Sequence, residues 1–169
     1  VDNAITVDVE EWFHICGVPA LAPSSWPLLP SRVENTTALV LDELEAAGIQ
    51  GTFFVLGWIA DRYPELVAAI LARGHDIGSH SFWHRHVYEL TETDFVADLD
   101  ASVHALKRAG ARDVMGFRAA EWSINRRSLW ALDALARRGF TNDASMAPVR
   151  IVGEVAFPRE PHVRATGAG

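Results

Sequence analysis

The chain has a single cysteine, Cys16, so no disulfide can form within it. A lone thiol of this kind reads as a small core residue rather than as a nucleophile. No apolar run approaches the ~20 residues that a membrane-spanning helix needs, so no membrane span is expected. An excess of basic residues is also missing: 15 Lys and Arg face 22 Asp and Glu, giving a formal charge of −7. Nucleic acid demands the opposite sign, so no nucleic-acid partner is expected. There is no internal repeat, no low-complexity segment and no linker. Residues 1–169 therefore read as one domain, long enough to bury a core.

What is present alternates between strand and helix patterns. In "ITVDVEEWFH" the period of two places Ile5, Val7 and Val9 on one face and Thr6, Asp8 and Glu10 on the other. Glu11 then points away, as a solvated or helix-facing carboxylate. "CGVPALAPSSWPLLPS" holds four of the eight prolines and reads as a long loop, a length often associated with function. "NTTALVLDELEAAG" is an amphipathic helix that Asn35 or Thr36 can cap and Gly48 stops; the same Asn35-Thr36-Thr37 is a glycosylation sequon, although the cap explains it. "GTFFVLG", "HDIGSH" and "DVMGFR" read as strands; "YPELVAAILARG", "TETDFVADLDASVHALKRAG" (capped by Thr91 or Thr93) and "SINRRSLWALDALARRG" read as helices. "FTNDASM" and "RIVGEVAFP" supply two more strand candidates. Strands alternating with helices imply an α/β fold with a parallel sheet or barrel, and 169 residues fall short of the ~250 of a full barrel.

Parallel α/β folds collect their sites at the C-terminal ends of the strands. There Asp8 and Glu10 end the first strand, His80 the third and Arg118 the fourth. His80 and His84 share a side whether the segment is a helical turn or extended, so two imidazoles can reach one ion. Ser81 stands where a zinc protease would carry glutamate, so any base must come from elsewhere, and the first strand offers carboxylates. Two histidines and one carboxylate leave an open position on a divalent ion, and a second, free carboxylate can take a proton from water. That set suits hydrolysis of an amide or ester. His75 reads as a hydrogen-bonded structural residue, and His86 as a surface or substrate-facing one.

Three segments resemble a known family. "TVDVEEWFH", "HDIGSHSFWH" and "GFRAAEWSI" are similar to the first three motifs of the polysaccharide deacetylases of the NodB-homology, carbohydrate esterase family four type, and the resemblance runs from about Ile5 to Pro148. The wording is most similar to the subgroup linked to bacterial exopolysaccharides. The resemblance implies a distorted, incomplete (β/α) barrel of about seven strands. It implies a metal-dependent hydrolase that removes N-acetyl groups from amino sugars of a glycan. Asp8 then matches the general base, Arg118 the arginine that orients it, and Glu10, His80 and His84 the metal ligands. Zinc is the expected metal, with cobalt, nickel or iron also suited to this donor set. Glutamate replaces the commoner aspartate at position 10, and its extra methylene gives reach from one pleat further out. Trp12, His14, Trp83 and Trp122 surround these motifs and suit contact with sugar rings. The substrate expected is an N-acetylated glycan. The rival readings are an allantoinase-like hydrolase of small cyclic amides and a non-catalytic metal- or glycan-binding fragment.

Two departures bear on activity. Ala119-Ala120-Glu121 replaces the family's proline-containing turn and brings a carboxylate close to the site. The family's last motif, a late histidine that protonates the leaving amine, has no match; His162 in "REPHVRATGAG" lies in different surroundings. A chain that stops before that motif is expected to bind metal yet turn over slowly. No secretory leader is visible, and with Val1 in place of Met, bacterial cytoplasm and periplasm both stay open.

Overall fold

A computed structural model describes residues 4–150 and 153–167. Five parallel strands form one sheet in sequence order: β1 (Thr6–Val9), β2 (Thr52–Val55), β3 (Asp76–Ser79), β4 (Gly116–Phe117) and β5 (Asn142–Asp143). β2 is buried along Phe53, Phe54 and Val55, as a central strand covered on both faces must be. α1 (Val33–Ala47), α2 (Gly57–Arg62), α3 (Pro64–Ala72), α4 (Glu92–Arg108) and α5 (Trp130–Arg137) make the connections. One core cluster joins β1–β3 to the first four helices through Val9, Leu41, Phe53, Ile59, Val67 and Leu106. A second gathers around Phe95, Leu99, Phe117, Ile124 and Leu135.

The α/β architecture with a parallel sheet is therefore the expected one, with five strands among the described residues where about seven were expected. β1 and β5 are the edges. "RIVGEVAFP" does not continue the sheet: residues 153–157 are bend and turn, and residues 151 and 152 lie outside the described residues. α2 was not separable in the sequence from the end of "GTFFVLG", and α5 is shorter than its pattern because residues 123–129 form turns. Thr91 does cap α4, its hydroxyl accepting the Asp94 amide.

The start of α1 corrects one expectation and decides another. The helix begins at Val33, so neither Asn35 nor Thr36 is its cap, and the Thr36 hydroxyl bonds back to the Arg32 carbonyl at 2.9 Å. The cap comes from Glu11, which is helix-facing, the second of the two alternatives expected for it, and buried rather than solvated: its carboxylate accepts the amides of Arg32 (3.0 Å) and Val33 (3.2 Å) and the Ser31 hydroxyl. Four amides at a helix start lack partners within the helix, and the helix dipole favours an anion there. A carboxylate remote in sequence thus fastens α1, and the proline-rich loop before it, to the end of β1.

That loop folds over an aromatic cluster. Trp26 lies 4.2 Å, centroid to centroid, from His14 and 5.5 Å from Trp58, with Phe13 edge-on to Trp58. His14 is only 2% exposed, so it belongs to this cluster and is not open to solvent. Its Nδ1 accepts the Glu11 amide at 3.0 Å, which fixes a neutral ring with the proton on Nε2. Burial, reinforced by the neighbouring imidazoles of His84 and His80, pushes His14 down from 6.5 to about 3.

Two outcomes are expected. Glu11→Ala leaves buried amides unpaired and should lower unfolding free energy by about 2–4 kcal/mol in urea titrations; a loss under about 0.5 kcal/mol would show a solvated carboxylate instead. For His14, the unfolded chain takes up a proton before the folded one, so its contribution is full above about pH 6.5 and is lost as pH falls toward 3. The denaturation midpoint of chelator-treated protein should therefore fall between pH 7 and 5, less steeply in His14→Gln. Equal slopes would place the titration elsewhere.

Candidate metal and catalytic centre

Each of three strands delivers its chemistry one residue beyond its end: Glu10 after β1, His80 after β3 and Arg118 after β4. Glu10 Oε2 lies 2.7 Å from His84 Nε2 and 3.9 Å from His80 Nε2. Both histidines are buried, and Glu10 Oε2 is itself buried with no hydrogen-bond partner among the described residues, so the 2.7 Å approach is close without being aligned as a hydrogen bond. Donors on a tetrahedral zinc, with bonds of about 2.0–2.2 Å, sit about 3.3–3.6 Å apart. The two observed separations bracket that value. His80 Nδ1 donates to the Arg118 carbonyl at 2.8 Å, which leaves the Nε2 lone pair facing Glu10. Burial also lowers the His80 pKa and keeps its ring neutral, as a ligand must be. The residues present therefore fit a divalent cation.

The segment from His80 to His84 is neither a helical turn nor extended. Ser81 (φ 64°) and His84 (φ 50°) adopt left-handed backbone, which costs a non-glycine residue about 1–3 kcal/mol. Asp98, on α4, holds the loop: its carboxylate accepts the amides of Phe82 (2.6 Å) and Trp83 (3.2 Å) and pairs with Arg85. Sequence reading passed over Asp98. The signal was there, because it falls between Phe95 and Ser102 on the buried face of α4, where an acid requires partners.

Asp8 is paired with arginine, although its charge also acts on His80. Arg118 Nη1 donates to Asp8 Oδ1 at 2.7 Å and Nη2 to Thr6 Oγ1 at 2.8 Å, and the guanidinium lies 4.4 Å above the Phe54 ring. With the Arg118 side chain 12% exposed, this is a built pair rather than a loose surface one. Asp143, at the end of β5, is a second residue the sequence did not single out. Its carboxylate accepts the Ser145 hydroxyl (2.6 Å) and amide (3.1 Å); desolvation pushes its pKa up to about 6, opposed by those two bonds and by the positive charge of Arg118. The strand-end position was its signal.

Trp12, Trp83 and Trp122 are each about two-fifths exposed. Trp12 donates its indole N–H to the Pro30 carbonyl, and Trp83 packs 5.9 Å from Trp26. Trp122 has left-handed backbone (φ 50°), as does Glu121 (φ 48°). Glu121 is not simply solvated: Oε2 meets His86 Nε2 at 2.9 Å and Oε1 accepts the Cys16 amide at 3.2 Å. Cys16 is half-buried among polar groups rather than in the core, 3.0 Å from the His84 carbonyl, and burial together with Glu121 pushes its thiol up to about 12. His75 is structural as expected, accepting the Gly51 amide. His162 is exposed and bonds only the Glu160 carbonyl, so it joins no cluster.

The chain has relatives in sequence and in fold. The yeast Chitin deacetylase 1 of Saccharomyces cerevisiae is 33% identical over 104 residues, 54% of this chain and 35% of that protein. The crystal structure of a Mycobacterium smegmatis protein assigned as a polysaccharide deacetylase superposes with a TM-score of 0.70 at 25% identity, covering 85% of this chain and 50% of that one. A Bacillus anthracis carbohydrate esterase family 4 pseudoenzyme shares the fold, with a TM-score of 0.62 at 15% identity over 83% of this chain and 41% of that one. This chain thus spans about half or less of the length of these three proteins. The family model described as polysaccharide deacetylase matches residues 26–140, more than half of the sequence; the chain belongs to the polysaccharide deacetylase family.

Proposed function

We propose that the chain carries the centre of a metal-dependent hydrolase that removes acetyl groups from the amino sugars of a glycan. The observation that carries this reading is the convergence of a partnerless buried carboxylate oxygen, Glu10 Oε2, on two buried imidazoles, with a separate aspartate–arginine pair on the same rim. Glu10, His80 and His84 would hold the ion, and zinc suits the donors. When bound, a divalent cation acidifies water and polarises the acetyl carbonyl. Asp8 is the base in this reading: it is not among the three ligands, and Arg118 turns its carboxylate and holds it in place. Arg118 is in turn held by Thr6 and by the face of Phe54, so the base is positioned before substrate arrives. Trp12, Trp83 and Trp122 offer exposed aromatic faces for sugar rings. His14 supports the loop beside them and is proposed to orient the site from inside the aromatic cluster rather than to meet solvent. An N-acetylated glycan is the proposed partner.

The fold does not decide activity, since it is shared with a pseudoenzyme; the side chains must be tested. Added zinc or cobalt should raise the melting temperature of the chelated chain, and His80→Ala should abolish that rise. Asp8→Asn should keep the rise and lower acetate release from N-acetylated chitooligosaccharides by about 10²–10⁴-fold. Loss of metal binding in Asp8→Asn would exchange the roles of Asp8 and Glu10. Turnover of cyclic ureides in place of acetylated sugars would favour the allantoinase-like reading. Metal binding without turnover of either substrate would favour a binding fragment.

A further inference from the structure

Cys16, His86 and Glu121 take no part in the chemistry above, yet they form a second cluster of metal-type donors. One donor atom from each lies within 4.8 Å of the other two. They come from three separate places: the loop after β1, the loop after β3 and the turn after β4. Chance neighbours on a surface are usually acids; here the set is one thiol, one imidazole and one carboxylate. We propose that these three residues form a second divalent-metal site, suited to zinc, beside the deacetylase centre.

Four observations support it. The donor set is one that zinc accepts, and three protein ligands leave the fourth position for water. His86 is oriented for the role: Nε2 faces Glu121 Oε2 at 2.9 Å, while Nδ1 lies 3.5 Å from Glu89 Oε1. A carboxylate behind the far nitrogen favours the ligating tautomer of a histidine, and Glu89 stands there at ion-pair distance rather than in a hydrogen bond. The His86 ring is also stacked on Tyr88, with centroids 4.8 Å apart and planes 19° off parallel, so it is held before any ion arrives. Finally, Glu121 reaches the cluster from left-handed backbone (φ 48°), a conformation that costs free energy at a glutamate and brings its carboxylate to His86 and Cys16.

On binding, the ion takes the place of the proton shared between His86 Nε2 and Glu121; that proton and the Cys16 thiol proton both pass to solvent as the metal–nitrogen and metal–sulfur bonds form, and His86 keeps the proton on Nδ1. No redox partner is required. His84 lies between the two sites. Its Nε2 faces Glu10, while Cys16 Sγ approaches its Nδ1 at 3.6 Å. An ion on Cys16 would therefore sit against the back of a ligand of the first site, coupling occupancy of the two.

Cobalt titration of the whole, chelator-treated chain separates the possibilities, because thiolate-bound cobalt(II) has an intense near-ultraviolet charge-transfer band and histidine–carboxylate cobalt does not. Wild type should bind two equivalents and develop the band. Cys16→Ser, close in size, should bind one equivalent without it, while retaining the wild-type circular dichroism spectrum. His80→Ala should keep the band and lose the other equivalent. Glu89→Gln should weaken the band-forming site by about 10–100-fold. A wild-type chain that binds one equivalent and shows no band would overturn the inference and leave the first site standing, with His86–Glu121 an ordinary ion pair. One equivalent with the band would support it and overturn the first site. A band that survives His86→Ala and Glu121→Gln at unchanged affinity would overturn the ligand assignment.

Discussion

Arg118 is the residue on which the site's geometry depends. Its amide donates to the Ser79 carbonyl and its own carbonyl receives His80 Nδ1, so its backbone sets both the β3–β4 pairing and the His80 ring. Its guanidinium then crosses β2, over the face of Phe54, to reach Asp8 and Thr6 on β1. One side chain thus ties the fourth strand to the first. The crossing requires Phe54 to lie flat, and Gly78 makes that possible: a Cβ there would sit 2.5 Å from the Phe54 ring, whereas one on Gly116 would be in ordinary contact at 3.4 Å. The sheet gives up a side chain at Gly78 so that an aromatic platform can support a charged bridge, and the bridge positions the proposed base.

The sites also share a pattern of strain opposed by charge. Among the described residues the non-glycine positions with positive φ are Ser81, His84, Glu121 and Trp122, all in the loops after β3 and β4. At about 1–3 kcal/mol each, such a set persists only where neighbouring bonds over-determine it. Asp98 supplies those bonds for the first loop through two amides and Arg85. Glu121 supplies them for the second through Cys16 and His86. Buried or half-buried carboxylates are thus used repeatedly as clamps on loop backbone, with Glu11 doing the same at the start of α1. An acid that accepts two or more amides regains most of what burial costs it, and it rigidifies the loop that donates them.

That pattern also explains what could and could not be read from the sequence. Strand alternation placed Asp8 and Glu10 together, and the βα order placed His80 and Arg118 on the same rim, because both depend on local periodicity and on a general property of parallel sheets. Glu11 escaped for a related reason. Alternation correctly turned it away from Asp8 and Glu10, but its partners lie 20 to 22 residues further on, past a proline-rich loop with no period. Asn35 and Thr36 looked like caps because cap chemistry is local, whereas the cap in use is tertiary. Asp98 and Asp143 were missed because each acts through backbone amides or a neighbouring serine, contacts that leave no spacing signature. His14 was placed among the sugar-facing residues by proximity in sequence, and its burial follows from Trp26, which closes over it from the far end of the loop.

Two different logics therefore meet on one rim. Glu10, His80 and His84 are assembled by the fold: two strand ends and a loop pinned by α4 bring them together. Cys16, His86 and Glu121 are assembled by loops alone, and each sits within a few residues of a group the first site uses. The fold is compatible with loss of activity in a relative, so the scaffold sets where chemistry can occur and not whether it does. The second cluster borders His84 on the side away from Glu10, so any charge it holds changes the field at the first site without altering a single first-site contact. A cation there would draw electron density from the His84 ring, and its loss would return it.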